Sequence, residues 1–300
     1  MNIVTVNLFK RPFHARLCLE SLARAQRWSA TVESKGWADL IAVCLACNAT
    51  EHPYVIAEAE GVIERNPDVP FEFWRATPDI PSNPHAMSKW MLDRAFAAGA
   101  DMALYVEDDA VMAPDALLMC EYVKQANRYY ADPCMEDHDH FCISDAVRGK
   151  LLGCCLYHET IPAQYKAENR SPDPALLHMS NGLNTCGGTA FLRDPYLKYL
   201  SGEWNCKTVE PKGFDYSAHF LMYLHNLYMV WPDYSRSLNY GFTGGSIAES
   251  EWSKYFGRSI AVTDHEALRD WRGFRMDGET PRRHKEDWMD AELRVRGLLP

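Results

Sequence analysis

Over its first 115 residues the chain alternates short apolar runs with amphipathic stretches, and this alternation limits the fold more than any other feature. Residues 3–6, 38–46, 71–75 and 103–106 read as strands. Between them, residues 13–25, 57–65 and 85–98 read as helices. In the first of these, Leu17, Leu19, Leu22 and Ala23 form an apolar face opposite Arg16, Glu20 and Arg24. Gly99 closes the third, as a glycine after a helix commonly does. Strand and helix alternating in units of about 30 residues predict an α/β fold, a mostly parallel sheet with helices on both faces. A chain of 300 residues with 47% hydrophobic content can bury a core of that size.

In open sheets of this kind ligands bind beyond the carboxyl ends of the strands. The run ALYV at residues 103–106 leads straight into Glu107, Asp108 and Asp109, and Pro114 and Asp115 then open a helix. Three adjacent carboxylates repel one another unless a cation compensates them. A hard divalent ion, Mn2+ or Mg2+, suits such a place because it takes one or two carboxylates and leaves its other positions to phosphate oxygens. A solvated acidic turn is the alternative for the triplet taken alone. Asn7 and Asn48 also fall at strand ends. That convergence points to a nucleotide site.

The second half is less regular. Residues 116–130 continue as a helix, 140–144 read as a strand, and 148–180, with Pro162, Pro172 and Pro174, read as a long loop or lid. Residues 184–191 join the pair Gly187–Gly188 to a strand. Residues 193–200 and 214–225 read as helices and 227–230 as a strand. No run of 18 apolar residues predicts a membrane span, and the apolar start is too short for a signal peptide. Ten cysteines without framework spacing, Cys154 and Cys155 adjacent among them, predict reduced thiols in a cytoplasmic protein. Cys44 and Cys47 form a C-x-x-C inside an apolar strand, which predicts buried core rather than redox chemistry. Cys134, His138, His140 and Cys142 lack the two separated knuckles of a zinc site and read as a polar loop entering a strand.

A net charge of −10 argues against a broad electrostatic grip on nucleic acid or an anionic membrane. Locally, Arg282, Arg283, His284 and Lys285 lie near Trp271 and Trp288 in sequence. Such a patch suits a nucleic-acid strand held by phosphate contacts and stacking, with a solvated amphipathic helix as the alternative.

The order NLFKRPFHARLCLESL after a strand, then LIAVCLACN, then a helix leading into YVEDDAVMAPD, resembles the GT-A glycosyltransferases. The nearest branch is the inverting one that contains N-acetylglucosaminyltransferase I and related bacterial and viral enzymes. NTCGGTAFLRDPYLKYL is similar to the acceptor-side strand and helix of that family. PKGFDYSAHF resembles its base-carrying stretch, and PDYSRSLNYGFTGGS its C-terminal segment. The blocks run in family order across residues 1–256. The resemblance implies a donor half at 1–115 and an acceptor and catalytic half at 116–256; residues 257–300 lie outside it and are expected as a helical appendage.

It also implies roles. Asp109 would bind the metal, and Glu107 and Asp108 would help hold the nucleotide. Asn7, Arg11 and Asn48 would surround the base and ribose, and His85 and Lys89 would face the phosphates, an exposed helix face being the alternative for the last two. Asp215 would be the general base, with a helix cap as its other reading and Glu210 in reserve. Gly187 and Gly188 would lie on the acceptor side; apart from the resemblance, Trp204, Tyr165 and the loop over 155–180 are expected there because sugars and bases stack on aromatic faces. Tyr216 stands where the family commonly has a second acid, and Gly245, Ser246 and Ile247 stand where a histidine often follows. The expected activity is metal-dependent, inverting transfer from a UDP-sugar to a hydroxyl of a glycan, small molecule, protein or hydroxymethylated DNA base. A nucleotidyltransferase and a non-catalytic nucleotide-sugar-binding protein are the rivals, and the absence of glycine from NLFKRPFHAR counts against the first.

Overall fold

A computed structural model describes residues 1–32, 36–46, 48, 51–80, 83–131, 141, 147, 149–158, 171–185, 187–204, 214–241, 261–277 and 287–298. The first half follows the expected alternation: β1 (Asn2–Leu8), α1 (Pro12–Ser29), β2 (Leu40–Leu45), α2 (Pro53–Arg65), β3 (Phe71–Arg75), α3 (Pro84–Ala97) and β4 (Met102–Glu107). Proline opens all three helices, where its missing N–H costs nothing and its fixed φ suits the first turn. Asn83 caps α3 by accepting from the Ala86 amide at 2.9 Å. Gly99, at φ +94°, turns the chain out of α3.

The second half adds β5 (Ala110–Met112), α4 (Ala116–Ala131), β6 (Leu151–Cys155), β7 (Leu176–Ser180), β8 (Thr189–Leu192) and α5 (Arg193–Tyr199). It continues through α6 (Phe214–His225), β9 (Tyr228–Pro232), β10 (Ser237–Asn239), β11 (Arg275–Met276) and α7 (Asp287–Val295). Among the described residues nine strands form one sheet in the order β11-β7-β9-β6-β8-β4-β1-β2-β3. Within it β1, β2, β3 and β4 run parallel, β6 and β9 share their direction, and β8 lies antiparallel between β4 and β6. The chain builds outward from β1 to β3 and returns through α3 to place β4 on the other side of β1. That reversal opens a crevice at the carboxyl ends of β1 and β4.

Both sheet faces are covered, which is why the central strands read as continuous apolar runs. Val4, Val6 and Leu8 with Leu104 and Val106 share a core with Leu19 and Leu22 of α1, Val55 and Val62 of α2, and Leu117 of α4. Ile3, Ala103 and Tyr105 share the opposite core with Met91 and Leu92 of α3, Tyr196 of α5 and Leu221 of α6. The α/β class with a mostly parallel, helix-flanked sheet is therefore as the alternation predicts.

The expected loop over 148–180 is corrected at both ends. Leu151–Cys155 is a fully buried strand and Leu176–Ser180 a partly buried one, and both enter the main sheet. Residues 159–170 lie outside the described residues. Residues 257–300, expected as an appendage, contribute β11 to the sheet edge beside β7, and Trp271, Phe274 and Met276 enter the core beneath it. The cysteines described are unpaired and buried; Cys154 and Cys120 bring their sulfurs to 4.0 Å. Among the described residues no helix is long and apolar enough to cross a membrane.

Candidate functional site

Strand pairing sets the geometry of the acidic triplet. Asn7 of β1 lies opposite Glu107 of β4, so the β1–α1 connection and the triplet emerge side by side. Arg11 immediately precedes α1 and turns its guanidinium into the acids. It pairs with Asp108, and its Nη1 lies 2.9 Å from Asp109 Oδ2. The Arg11 side chain is 17% exposed and that of Asp109 8%, so the arrangement is largely withdrawn from water. The positive charge that the triplet requires thus comes first from within the chain. Arg11 is expected beside base and ribose; the structure places it on the acids instead.

Glu107 behaves differently from its neighbours. It accepts from the Tyr105 hydroxyl at 3.1 Å, and Asn7 hydrogen-bonds the same hydroxyl. Burial, reinforced by the charge of Asp109, pushes Glu107 up to about 8, so at neutral pH it largely keeps its proton. Burial also pushes Asp108 up, against the pull of Arg11. The triplet is one mostly neutral carboxyl and two acids sharing a guanidinium, not three open charges.

A second segment closes over the triplet from far along the sequence. β10 pairs antiparallel with β5, Asn239 opposite Ala110, and the Tyr240 amide donates to the Asp109 carbonyl at 2.7 Å. His14 of α1 holds the Tyr240 carbonyl through Nε2 at 2.8 Å. Gly241 then passes so close that a Cβ there would sit 2.2 Å from Asp109 Oδ2. Gly241, Tyr240 and His14 carry no local signal of this role; only the pairing of β10 with β5 brings them in. Gly241→Ala is expected to displace the Asp109 carboxylate and cost about 1–3 kcal/mol of stability by overpacking. Urea denaturation checks the stability.

The other expected donor residues are spread along the same edge. Asn48 follows β2, and its Oδ1 is buried without a hydrogen-bond partner, as a ligand-facing amide would be. His85 lies half-buried in the first turn of α3. Lys89, one turn on, pairs with Asp93 at 2.5 Å and lines a cavity of about 480 Å³ with Ile80, Trp90 and Arg94. Its ion pair is therefore with its own helix rather than with the triplet.

Asp215 sits in the first turn of α6, half-exposed, rather than immediately before the helix where a capping side chain stands. It makes no hydrogen bond or ion pair with the described residues. On the acceptor side, Trp204 is corrected: it is 1% exposed and packs against Phe191 and Tyr196, so it offers no face to a ligand. Gly187 and Gly188 serve packing. A Cβ at Gly187 would fall 2.2 Å from that of Tyr157, and Gly188 holds φ +104°.

Trp271 is buried and stacks on Phe141, while Trp288 is half-buried and packs against Tyr216 of α6, so of the two aromatics of the expected nucleic-acid patch Trp271 is committed inside the fold. Cys47, Cys134, His138, His140, Cys142, Tyr165, Glu210, Gly245, Ser246, Ile247, Arg282, Arg283, His284 and Lys285 lie outside the described residues.

The triplet suits a hard cation in its chemistry. Asp108 Oδ2 and Asp109 Oδ1 are buried and accept no hydrogen bond from the described residues. Among the described residues no group of three His, Cys, Asp or Glu side chains is arranged to hold an ion alone. A site offering one or two carboxylate oxygens, with the remainder supplied by water and phosphate, fits Mg2+ or Mn2+.

No family model matches the chain, and no curated protein sequence matches it. Among solved structures the fold aligns with the crystal structure of S. aureus TarS 1–349, with a TM-score of 0.40 and 9% identity. The alignment covers 83% of this chain and 67% of that one. Similarity at this level is silent on activity.

Proposed function

We propose that the protein is a metal-dependent, inverting glycosyltransferase of the GT-A type that moves a sugar from a UDP-sugar to an acceptor hydroxyl. The observation that carries this reading is the triplet itself. Two buried carboxylate oxygens with no hydrogen-bond partner among the described residues sit at the β1–β4 crevice, beside the Arg11 guanidinium and the Glu107 carboxyl. That set can receive a hard cation, an anionic diphosphate and sugar or ribose hydroxyls together.

Asp109 would hold the ion, with Asp108 beside it, and Asn7 and Asn48 would meet the nucleoside. The bound ion supplies Lewis-acid stabilisation to the departing diphosphate. Asp215 takes the proton of the acceptor hydroxyl as its oxygen forms the new bond to the anomeric carbon, while the bond from that carbon to the UDP oxygen breaks and UDP leaves. A half-exposed carboxylate with no hydrogen bond or ion pair among the described residues is available for that proton. The acceptor is a glycan, small molecule, protein or modified DNA base. With Trp271 buried and Trp288 half-buried against Tyr216, no observation favours DNA over the others.

The test is UDP release with Mn2+ across a panel of UDP-sugars, with and without hydroxymethylated DNA. Release from one sugar, abolished by EDTA, is the expected result. Absence of both release and any thermal shift with nucleotide would overturn the reading.

A further inference from the structure

Arg11 occupies the ground that a cation at the triplet would enter. Its guanidinium spans Asp108 and Asp109, and among the described residues no other side chain forms an ion pair with either acid. A dication placed against Asp109 would meet this charge at short range in a poorly hydrated setting. By drawing on the same two carboxylates it would also weaken their hold on Arg11 and leave a largely buried guanidinium poorly compensated, which is unfavourable. A free metal ion offers no remedy. A diphosphate does, because its oxygens match the planar fork of an arginine.

We infer that Arg11 is an exchangeable counter-ion that couples the metal to the nucleotide: it closes the acids to free cation and swaps onto the diphosphate when the two arrive together. This rests on the function proposed above and adds to it a positioning residue with its own thermodynamic signature. Metal and nucleotide must then bind with positive coupling, each tightening the other by the same factor. The ordinary range of such coupling is about 5- to 150-fold. Removing the guanidinium has opposite effects on the two ligands: the metal alone gains an open site, and the diphosphate loses a partner.

The experiment measures free Mn2+ by electron paramagnetic resonance against wild-type, Arg11→Met and Arg11→Lys protein, each with and without UDP. Calorimetric titration of UDP runs in parallel. In wild type, UDP should tighten Mn2+ about 10-fold or more, within the range above. Arg11→Met should bind Mn2+ alone about 10-fold more tightly than wild type, and UDP should add little. Arg11→Lys, which keeps the charge but loses the fork, should fall between them.

Equal Mn2+ affinity in wild type with and without UDP would overturn the inference. So would an Arg11→Met protein, folded by its melting profile, whose affinity for Mn2+ alone is unchanged or weaker. If Arg11→Met does not fold, the wild-type coupling and the Arg11→Lys protein decide the matter by the same criteria. UDP binding without coupling removes the role of Arg11 and leaves the proposed function standing. Failure of both UDP and Mn2+ to bind, singly or together, removes both.

Discussion

Replacing Asp215 by asparagine is expected to slow sugar transfer by about 10²–10⁴-fold, the range for removal of a general base, with UDP-sugar affinity nearly unchanged. Asparagine keeps the shape of the side chain and its place in the first turn of α6 but cannot take a proton. Asp215 makes no hydrogen bond or ion pair with the described residues, so the change breaks no observed structural contact. Asp109→Asn should fail differently. It removes one carboxylate charge from the group that Arg11 bridges, and Mn2+-dependent nucleotide binding should weaken along with turnover. Steady-state kinetics beside calorimetric binding of UDP separate the two. Full activity in Asp215→Asn would assign the base to another residue.

The second large effect concerns stability. Arg236→Met is expected to lower the unfolding free energy by about 3–5 kcal/mol, the usual penalty for removing one partner of a buried ion pair. Arg236 and Asp115 are both fully buried, with Nε 3.0 Å from Oδ1. Asp115 also accepts from the Leu268 amide at 2.9 Å, while Arg236 donates to the Tyr234 and Pro174 carbonyls and lies over the Phe274 ring. One pair therefore joins the start of α4, the residues before β7, the turn into β10 and the segment 261–277. The double variant Asp115→Asn with Arg236→Met should lose less than the two single losses added together. Guanidinium denaturation reads both.

How far the fold was legible depended on whether its signals were local. Phe71–Arg75 and Phe214–His225 match their expected spans, because apolar period and flanking turn residues agree there. The helices opened by Pro12, Pro53 and Pro84 were legible to within a few residues. Leu151–Cys155 was not: a five-residue apolar run beside a proline-bearing stretch reads as loop, and only its pairing with β8 and β9 makes it a strand. Trp204 shows the same limit in a side chain. An aromatic near an expected acceptor site reads as a stacking platform, yet its burial depends on Phe191 and Tyr196 arriving from β8 and α5.

The site divides along the same line. Three consecutive acids at a strand end are visible in one dimension, so the triplet was found. That Arg11 would face Asp108 and Asp109 depends on β1 and β4 being neighbours, although they are nearly a hundred residues apart in the chain; Arg11 and Asp108 are separated by 97 positions. The approach of Gly241 depends on β10 folding back onto β5. Long-range pairing is what a single sequence hides.

The docking of α7 bears on how the protein should be handled. Trp288 packs edge-on to Tyr216, and Met289 and Leu293 bury Phe220, so the last described helix grips the helix whose first turn carries Asp215. A purification tag fused after residue 300 loads this contact, and removal of residues 287–300 should reduce turnover more than UDP affinity. At the other end, the Met1 ammonium makes only a part-exposed pair with Asp101 at 2.7 Å, and such pairs contribute about 0–1 kcal/mol. The amino terminus is the better place for a handle, and comparing kcat between the two tagged forms would show how much the contact matters.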